Sequence, residues 1–331
     1  EIGAGSPHLS FAGHVDVVPA GDEKLWSHPP FDAVIEDGKL YGRGTADMKG
    51  AVACFLAAAI DHIAEGTHER GTLSFIITCD EEGPAINGTR KLLDWMTAQG
   101  HQPDFCILGE PSNDQNIGEA IKIGRRGSLN ATLVVEGKQG HVAYQHLAEN
   151  PVPAIISALS GLVSWEIDQG TQYFAPSNLE ISTIDVGNTA ENVIPGLVSS
   201  KFNIRFNDGH TSDSLKNSIE KMVADRLSPF GLKYDLTFRV TGESFLCETN
   251  ETVSGLGDII HKYTQIRPEY STGGGTSDAR FIKDVCSVVE FGLCNETIHQ
   301  IDEHVRVQDL DVLTDIYRDF IADYFSQSSD G

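Results

Sequence analysis

Basic residues are scarce in this chain. Twenty-four lysines and arginines stand against 48 aspartates and glutamates among 331 residues, a net charge of -24. A nucleic acid backbone is bound by lysine and arginine stripes, so this balance argues against that class of partner. The acidity itself names no partner, since acidic surfaces mostly serve solubility. Six cysteines (Cys54, Cys79, Cys106, Cys247, Cys286 and Cys294) are widely spaced, and no C-x-x-C pair occurs. A zinc ribbon and a disulfide scaffold are thereby excluded, and a reduced, cytoplasmic setting is the simplest reading. No apolar run approaches the roughly 18 residues of a membrane helix. The phosphate loop G-x-x-x-x-G-K-[ST] is missing too, as are internal repeats and low-complexity segments. The chain opens on Glu1 rather than Met, almost at a strand. A preceding N-terminal segment is therefore expected in the whole protein, and the lack of a signal peptide here carries no weight.

What is present reads as a globular protein with a sizeable core. Apolar residues make up 40% and charged residues 22%, over a length that suits one large domain or two ordinary ones. Strand and helix alternate at first: "LSFAGHVDVV", "GAVACFLAAAIDHIAEG", "TLSFIITC", "GTRKLLDWMTAQ" and "DFCILGE". That order predicts an α/β mixed sheet flanked by helices, with ligands expected at the C-terminal strand ends. Residues 127–242 then read β-α-β-β-α-β, from "SLNATLVVEG" to "LKYDLTFRV", which predicts an inserted α+β ferredoxin-like domain. The α/β domain is accordingly expected over 1–126 and 243–331, resuming with "VSGLGDIIHKYTQ", "CSVVEFG" and "LDVLTDIYRDFIADYF".

Five places carry polar residues of metal-binding type. In "GHVDVVP", His14 and Asp16 are two apart on a predicted strand and would point the same way. A metal-bound histidine commonly hands its second ring N–H to such a carboxylate; the bland reading is a half-buried histidine bonding its neighbour. In "YGRGTADMKG", Asp47 precedes the alanine-rich helix, where the helix dipole favours an acid in any case. "TCDEEG" ends a greasy strand in Asp80, Glu81 and Glu82, whose adjacent charges either splay into solvent or surround a cation, and alternation at a strand end would point Glu81 and Glu82 to opposite sides. Glu110 in "CILGEPS" and His299 in "NETIHQIDEHV" each follow an apolar strand; singly, a solvated acid and a structural histidine are the plainer readings. Together they change the balance. Hard carboxylates with imidazoles and no thiolate suit zinc, cobalt or manganese. Five such ligands serve two metals with three apiece if one acid bridges, and a spare acid could act as general base.

These motifs resemble the dizinc aminoacylase/carboxypeptidase-type peptidase family, through "GHVDVVP", "YGRGTADMKGA", "DEEG", "GEPS" and the late "IH". The resemblance runs over essentially the whole chain. It implies that Asp47 bridges two Zn2+ (or Co2+/Mn2+) ions, with Glu82 and His299 completing one site and His14 and Glu110 the other. Glu81 would be the general base, and Asp16 would orient His14. The 127–242 insertion would be a dimerisation lid, carrying His141 into the partner's site to stabilise an oxyanion. Substrate contacts would fall on Arg126, Tyr144, Arg205, Gly275, Thr276 and Asn295, with Arg125 and Ser128 flanking the first.

Finer matches ("IKIGRRGS", "QGHVAYQHLAENP", "ENVIP", "GGTSDARF", "TIHQIDEHV") point within the family to hydrolysis of an N-succinyl diamino acid with three carboxylates, a step toward lysine and cell-wall precursors. Arginine makes forked contacts to carboxylates, and the 273–275 glycines let backbone N–H groups approach an anion. The bland readings are surface ion pairs for the arginines, packing for Tyr144 and a plain loop for the glycines. The chain departs from the family pattern at Glu191-Asn192, where two asparagines are usual, at Gln145 and at Cys294. A carboxylate at 191 would repel an anionic substrate. The alternatives are a sister enzyme acting on acetylornithine or another N-acyl amino acid, and a non-catalytic acidic dimeric scaffold.

Overall fold

Apolar runs without alternation become strands covered on both faces. Every residue of His8–His14 and Phe105–Leu108 is buried, as central parallel strands require. The structure, a computed structural model, describes residues 1–64, 66 and 71–327. The chain divides into two compact units, Glu1–Gly124 with Leu246–Gly331, and Arg125–Phe245.

In chain order the first unit contains strands β1 (Ile2–Ala4) and β2 (His8–His14), helix α1 (Gly50–Ala64), strand β3 (Gly71–Thr78), helix α2 (Thr89–Ala98), and strands β4 (Phe105–Leu108) and β5 (Ala120–Lys122). The second unit holds β6 (Gly127–Glu136), α3 (Val152–Val163), β7 (Asn178–Asp185), β8 (Leu197–Phe206), α4 (Ser212–Leu227) and β9 (Tyr234–Gly242). The first unit resumes with α5 (Glu251–Thr264), β10 (Glu269–Ser271), α6 (Ala279–Ile282), β11 (Ser287–Glu290) and α7 (Val307–Gln327).

The first unit is built on a mixed seven-stranded sheet in the order β1-β3-β2-β4-β11-β5-β10. Its centre, β3-β2-β4-β11, is parallel throughout. Helices α1 and α7 pack together beside it around an aromatic cluster. Phe11 of β2 stacks on Phe55 of α1 at 4.3 Å between ring centroids, and Tyr317 of α7 meets both rings edge-on. The Tyr317 hydroxyl donates to the Phe291 carbonyl at 2.5 Å, which satisfies its one buried polar group. A small three-stranded sheet joins His304–Arg306, Lys39–Tyr41 and Val34–Glu36.

The second unit is a four-stranded antiparallel sheet in the order β7-β8-β6-β9, the ferredoxin-like strand order. On β6, Leu129, Ala131, Leu133 and Val135 alternate into the core. They meet Ala154, Ile155, Ala158, Leu159 and Leu162 of α3, and Leu215, Ile219, Val223 and Leu227 of α4, both at helical spacing. Among the described residues no helix is long and apolar enough to cross a membrane.

Candidate metal centre

Parallel pairing brings distant residues to one edge. His14 ends β2 in register with Thr78 at the end of β3, and Ala12 pairs with Leu108 at the end of β4. Glu110 therefore emerges two residues beyond β4, buried, next to His14. Such carboxyl ends of strands are where open α/β sheets gather ligands.

Asp47 arrives on a tight turn, Thr45–Lys49, that feeds α1. Its approach requires glycine at 44: φ is +83°, and an added Cβ would lie 2.5 Å from Val17 Cγ1. The His14 N–H donates to the Met48 sulfur at 3.3 Å, which ties this turn to the strand end. The Asp47–Met48 peptide is cis.

The two oxygens of Asp47 face two different histidines. Oδ1 lies 3.2 Å from His14 Nε2, and Oδ2 lies 3.2 Å from His299 Nε2. His14 Nε2 also lies 3.7 Å from Glu110 Oε1, and His299 Nε2 lies 3.0 Å from Glu82 Oε1. Two ligand groups result, His14–Asp47–Glu110 and Asp47–Glu82–His299, each with its donor atoms within 4.8 Å of one another. The set is imidazole and carboxylate without thiolate, which suits a hard or borderline divalent cation.

The electrostatics also call for cations. Burial and the neighbouring Asp47 push the Glu110 carboxyl well above the usual range. Glu82 is raised by burial and by Asp47, with His299 opposing. Burial and Asp278 push Glu81 up to about 7. Burial disfavours protonated His14, yet Asp47, Glu110 and Glu81 outweigh it and raise this imidazole to about 10. Without metal the site keeps protons where ions would otherwise stand.

The structure corrects two strand-based expectations. β2 stops at His14, because its partners end at Thr78 and Leu108, so Asp16 lies beyond the strand. His14 Nδ1 meets the Asp16 main-chain carbonyl at 3.0 Å and the carboxylate only at 3.5 Å. The Asp16 carboxylate instead accepts from the Glu82 N–H at 3.0 Å and the Glu81 N–H at 3.4 Å. Likewise β3 ends at Thr78, so Glu81 and Glu82 sit in a turn rather than on alternating strand faces. Asp80 closes the following loop, accepting from the Ile86 and Asn87 N–H groups at 2.8 and 2.7 Å, and these bonds lower its pKa.

The remaining expected residues lie elsewhere in each unit. In the first, Asn295 donates to Asp114 Oδ1 at 3.2 Å on the rim of a cavity of about 510 Å³ that Gly273, Gly274 and Lys122 also line. Gly275 is exposed and Thr276 is half-buried; of these glycines only Gly274 is left-handed, at φ +101°. In the second, Arg126 donates to Asn178 Oδ1 at 3.0 Å, while burial and the charge of Arg126 lower the pKa of Arg205. Arg125 and Ser128 are buried beside it. Tyr144 is exposed, its ring 5.6 Å from that of His141. His141 Nδ1 accepts the Ala143 N–H at 3.1 Å, so the neutral ring carries its proton on Nε2.

Two groups have no place in the sequence reading. Asp278, within "GGTSDARF", is buried, accepts from Thr89 Oγ1 at 2.5 Å and acts electrostatically on Glu81. Glu303 is fully buried and bonds the turn that carries Asp47. The only sequence signal for Glu303 is an acid four residues after His299.

Residues 10–323 match the model of peptidase family M20/M25/M40. The chain belongs to this family. It is 51% identical over 326 residues to a succinyl-diaminopimelate desuccinylase of Xanthobacter autotrophicus, covering 98% of this chain and 85% of that relative. The fold is shared with aminopeptidase PepT from Bacillus cereus, at TM-score 0.78 and 19% identity over 97% of this chain and 81% of that one. It is shared also with the Bacillus subtilis YxeP protein, a dinuclear metal binding peptidase, at TM-score 0.73 and 14% identity over 98% and 84%. The M20 chain thus has the α/β architecture of its family, with its mixed sheet and flanking helices.

Proposed function

We propose that this M20 enzyme removes the succinyl group from N-succinyl-LL-2,6-diaminopimelate, releasing succinate and LL-diaminopimelate for lysine and cell-wall synthesis. The observation that carries the dinuclear part of the reading is the division of the Asp47 carboxylate, one oxygen toward each histidine. The 51% identity to a desuccinylase carries the substrate.

Asp47 would be shared by two ions, with His14 and Glu110 completing one site and Glu82 and His299 the other. Zinc is the first expectation, with cobalt or manganese as substitutes. The ions, when bound, supply Lewis acidity and lower the pKa of water. Glu81 would take the proton from the attacking water and return it to the leaving amine. A carboxyl held near neutrality by burial and by Asp278 suits both transfers. Asp16 would fix His14 through its carbonyl and the Glu81–Glu82 turn through its carboxylate.

The second unit would act as lid and dimer element, with His141 reaching the partner's site. Its Nδ1 is occupied by the Ala143 N–H, which leaves the Nε2 proton free to be donated to a developing oxyanion. Arg126 and Arg205, close enough to repel, would share a substrate carboxylate. Tyr144, Gly275, Thr276 and Asn295 would complete the contacts.

The deciding experiment compares turnover of succinyl-diaminopimelate and acetylornithine by metal-loaded enzyme, with metal content measured in parallel. Strong preference for the succinylated substrate with about two ions per chain is expected. Preference for acetylornithine would select the sister activity, and no turnover of either would point to another N-acyl amino acid or to the scaffold.

A further inference from the structure

One fully buried carboxylate outside the ligand set holds the turn that presents Asp47. Glu303 Oε2 accepts from Arg43 Nη1 at 2.6 Å and from the Gly44 N–H at 3.0 Å. Its Oε1 accepts from the Ala46 N–H at 2.9 Å and from the Asp47 N–H at 3.2 Å. Three backbone donors of one turn and one guanidinium thus converge on a single side chain. Glu303 itself comes from the segment that presents His299. His299 and Asp302 both adopt left-handed backbone, at φ +61° and +59°, which folds that segment back. Asp302 is in turn anchored, accepting the Ser27 N–H at 2.7 Å and the Ser27 hydroxyl at 2.9 Å.

We infer that Glu303 is a positioning residue for the metal centre, locking the turn of the shared ligand Asp47 to the segment of His299. The inference rests on the dinuclear reading above. A carboxylate that bridges must meet two partners at once, so a small displacement of its turn lengthens one contact or the other. The Asp47 oxygens are equidistant from their histidines, 3.2 Å each, and Glu303 bonds the Asp47 N–H directly. Arg43 neutralises Glu303; it lies over the Trp26 ring with 5.2 Å to the centroid. The Glu303 charge is therefore spent on the turn and is not offered to a metal. A plain capping role would fix the turn without regard to metal, and the two roles separate by experiment.

The test titrates metal-free full chain with cobalt(II), followed by calorimetry and by the visible absorption of the bound ion. Wild type, Glu303→Gln and Glu303→Asp are compared, with thermal melts confirming that the metal-free variants fold. Glutamine puts an NH2 where a donor must be accepted, and aspartate keeps the charge but falls short by one methylene. Both should bind at least one of the two ions about 10- to 100-fold more weakly, with a shifted absorption band. Folded variants that take up two ions with wild-type affinities and an unchanged band would overturn the inference. Should neither variant melt cooperatively, amide exchange in metal-free wild type decides. Slow exchange at Gly44, Ala46 and Asp47 supports prior fixing of the turn by Glu303; exchange at unprotected rates overturns it. A wild type that binds fewer than two ions would instead sink the dinuclear reading, a distinguishable result.

Discussion

Removing the metals should make stability fall as pH rises. In the metal-free centre Glu81 titrates at about 7, against 4.5 for an unperturbed carboxyl, and His14 at about 10, against 6.5. Both folded-state values are raised. The folded chain therefore keeps protons that the unfolded chain has lost, and stability drops with pH over those windows. For Glu81 the window runs from 4.5 to about 7, and for His14 from 6.5 to about 10. Within a window each group contributes about 1.4 kcal/mol per pH unit. From pH 5.5 to 8.5 Glu81 loses about 2 kcal/mol and His14 about 3 kcal/mol. Protonated His14 lowers the Glu81 pKa, so the terms are not additive, and a net loss of about 3–5 kcal/mol is expected. In a chain of this size that corresponds to a Tm decrease on the order of 10 °C. Glu82 and Glu110, also raised, act in the same direction. The assay is differential scanning calorimetry of chelator-treated and zinc-loaded protein across this range. Cations replace the protons, so the loaded protein should lose far less, and the gap between the two curves should widen with pH. Curves that decline in parallel would refute the reasoning and leave the overall charge of -24 as the cause.

Glu81→Gln should retain both metals yet lose at least about 100-fold in kcat, because the amide cannot take the proton; metal analysis beside steady-state kinetics checks both halves, and near wild-type turnover would remove Glu81 from the base role. Glu191→Asn should lower KM for the tricarboxylate substrate while leaving kcat within about twofold, and more strongly at low salt, since it deletes an exposed charge of the substrate's own sign. An unchanged KM at low ionic strength would take position 191 out of the substrate field. Phe202→Ala, at a core position of β8, should cost about 3–5 kcal/mol by opening a cavity in the core that Leu129, Ile155 and Ile219 help to build. Urea melts would register the loss, and a change below about 1 kcal/mol would mean that the core collapses around the gap.

How much of this was legible before folding depends on what each feature needs. The five proposed ligand residues stood out because hard donors are unusual after apolar strands, where all but Asp47 occur, and a parallel sheet gathers such strand ends. The second unit was readable for a similar reason. Its strands are up to ten residues long with period-two burial, and its helices keep period 3.6. Strands β5 and β10 were invisible, since three residues cannot establish a period and their pairing comes from the fold.

The acidic run shows where local rules end. Alternation along a strand was expected to separate Glu81 from Glu82, but alternation holds only while a partner strand supplies the ladder, and β2 stops pairing at His14. What would separate their proposed tasks is the turn itself. Asp80 closes it on one side through Ile86 and Asn87, and Asp16 pins it on the other through the Glu81 and Glu82 amides. The same logic explains why Glu303 escaped notice. Its partners lie 256 to 260 residues away in sequence, and no spacing rule reaches so far. Ligands announce themselves by their chemistry, whereas the residues that aim them do so only through distances. A dinuclear centre built on a shared carboxylate depends on both, because the bridging ligand has two partners to satisfy and one backbone turn to do it from.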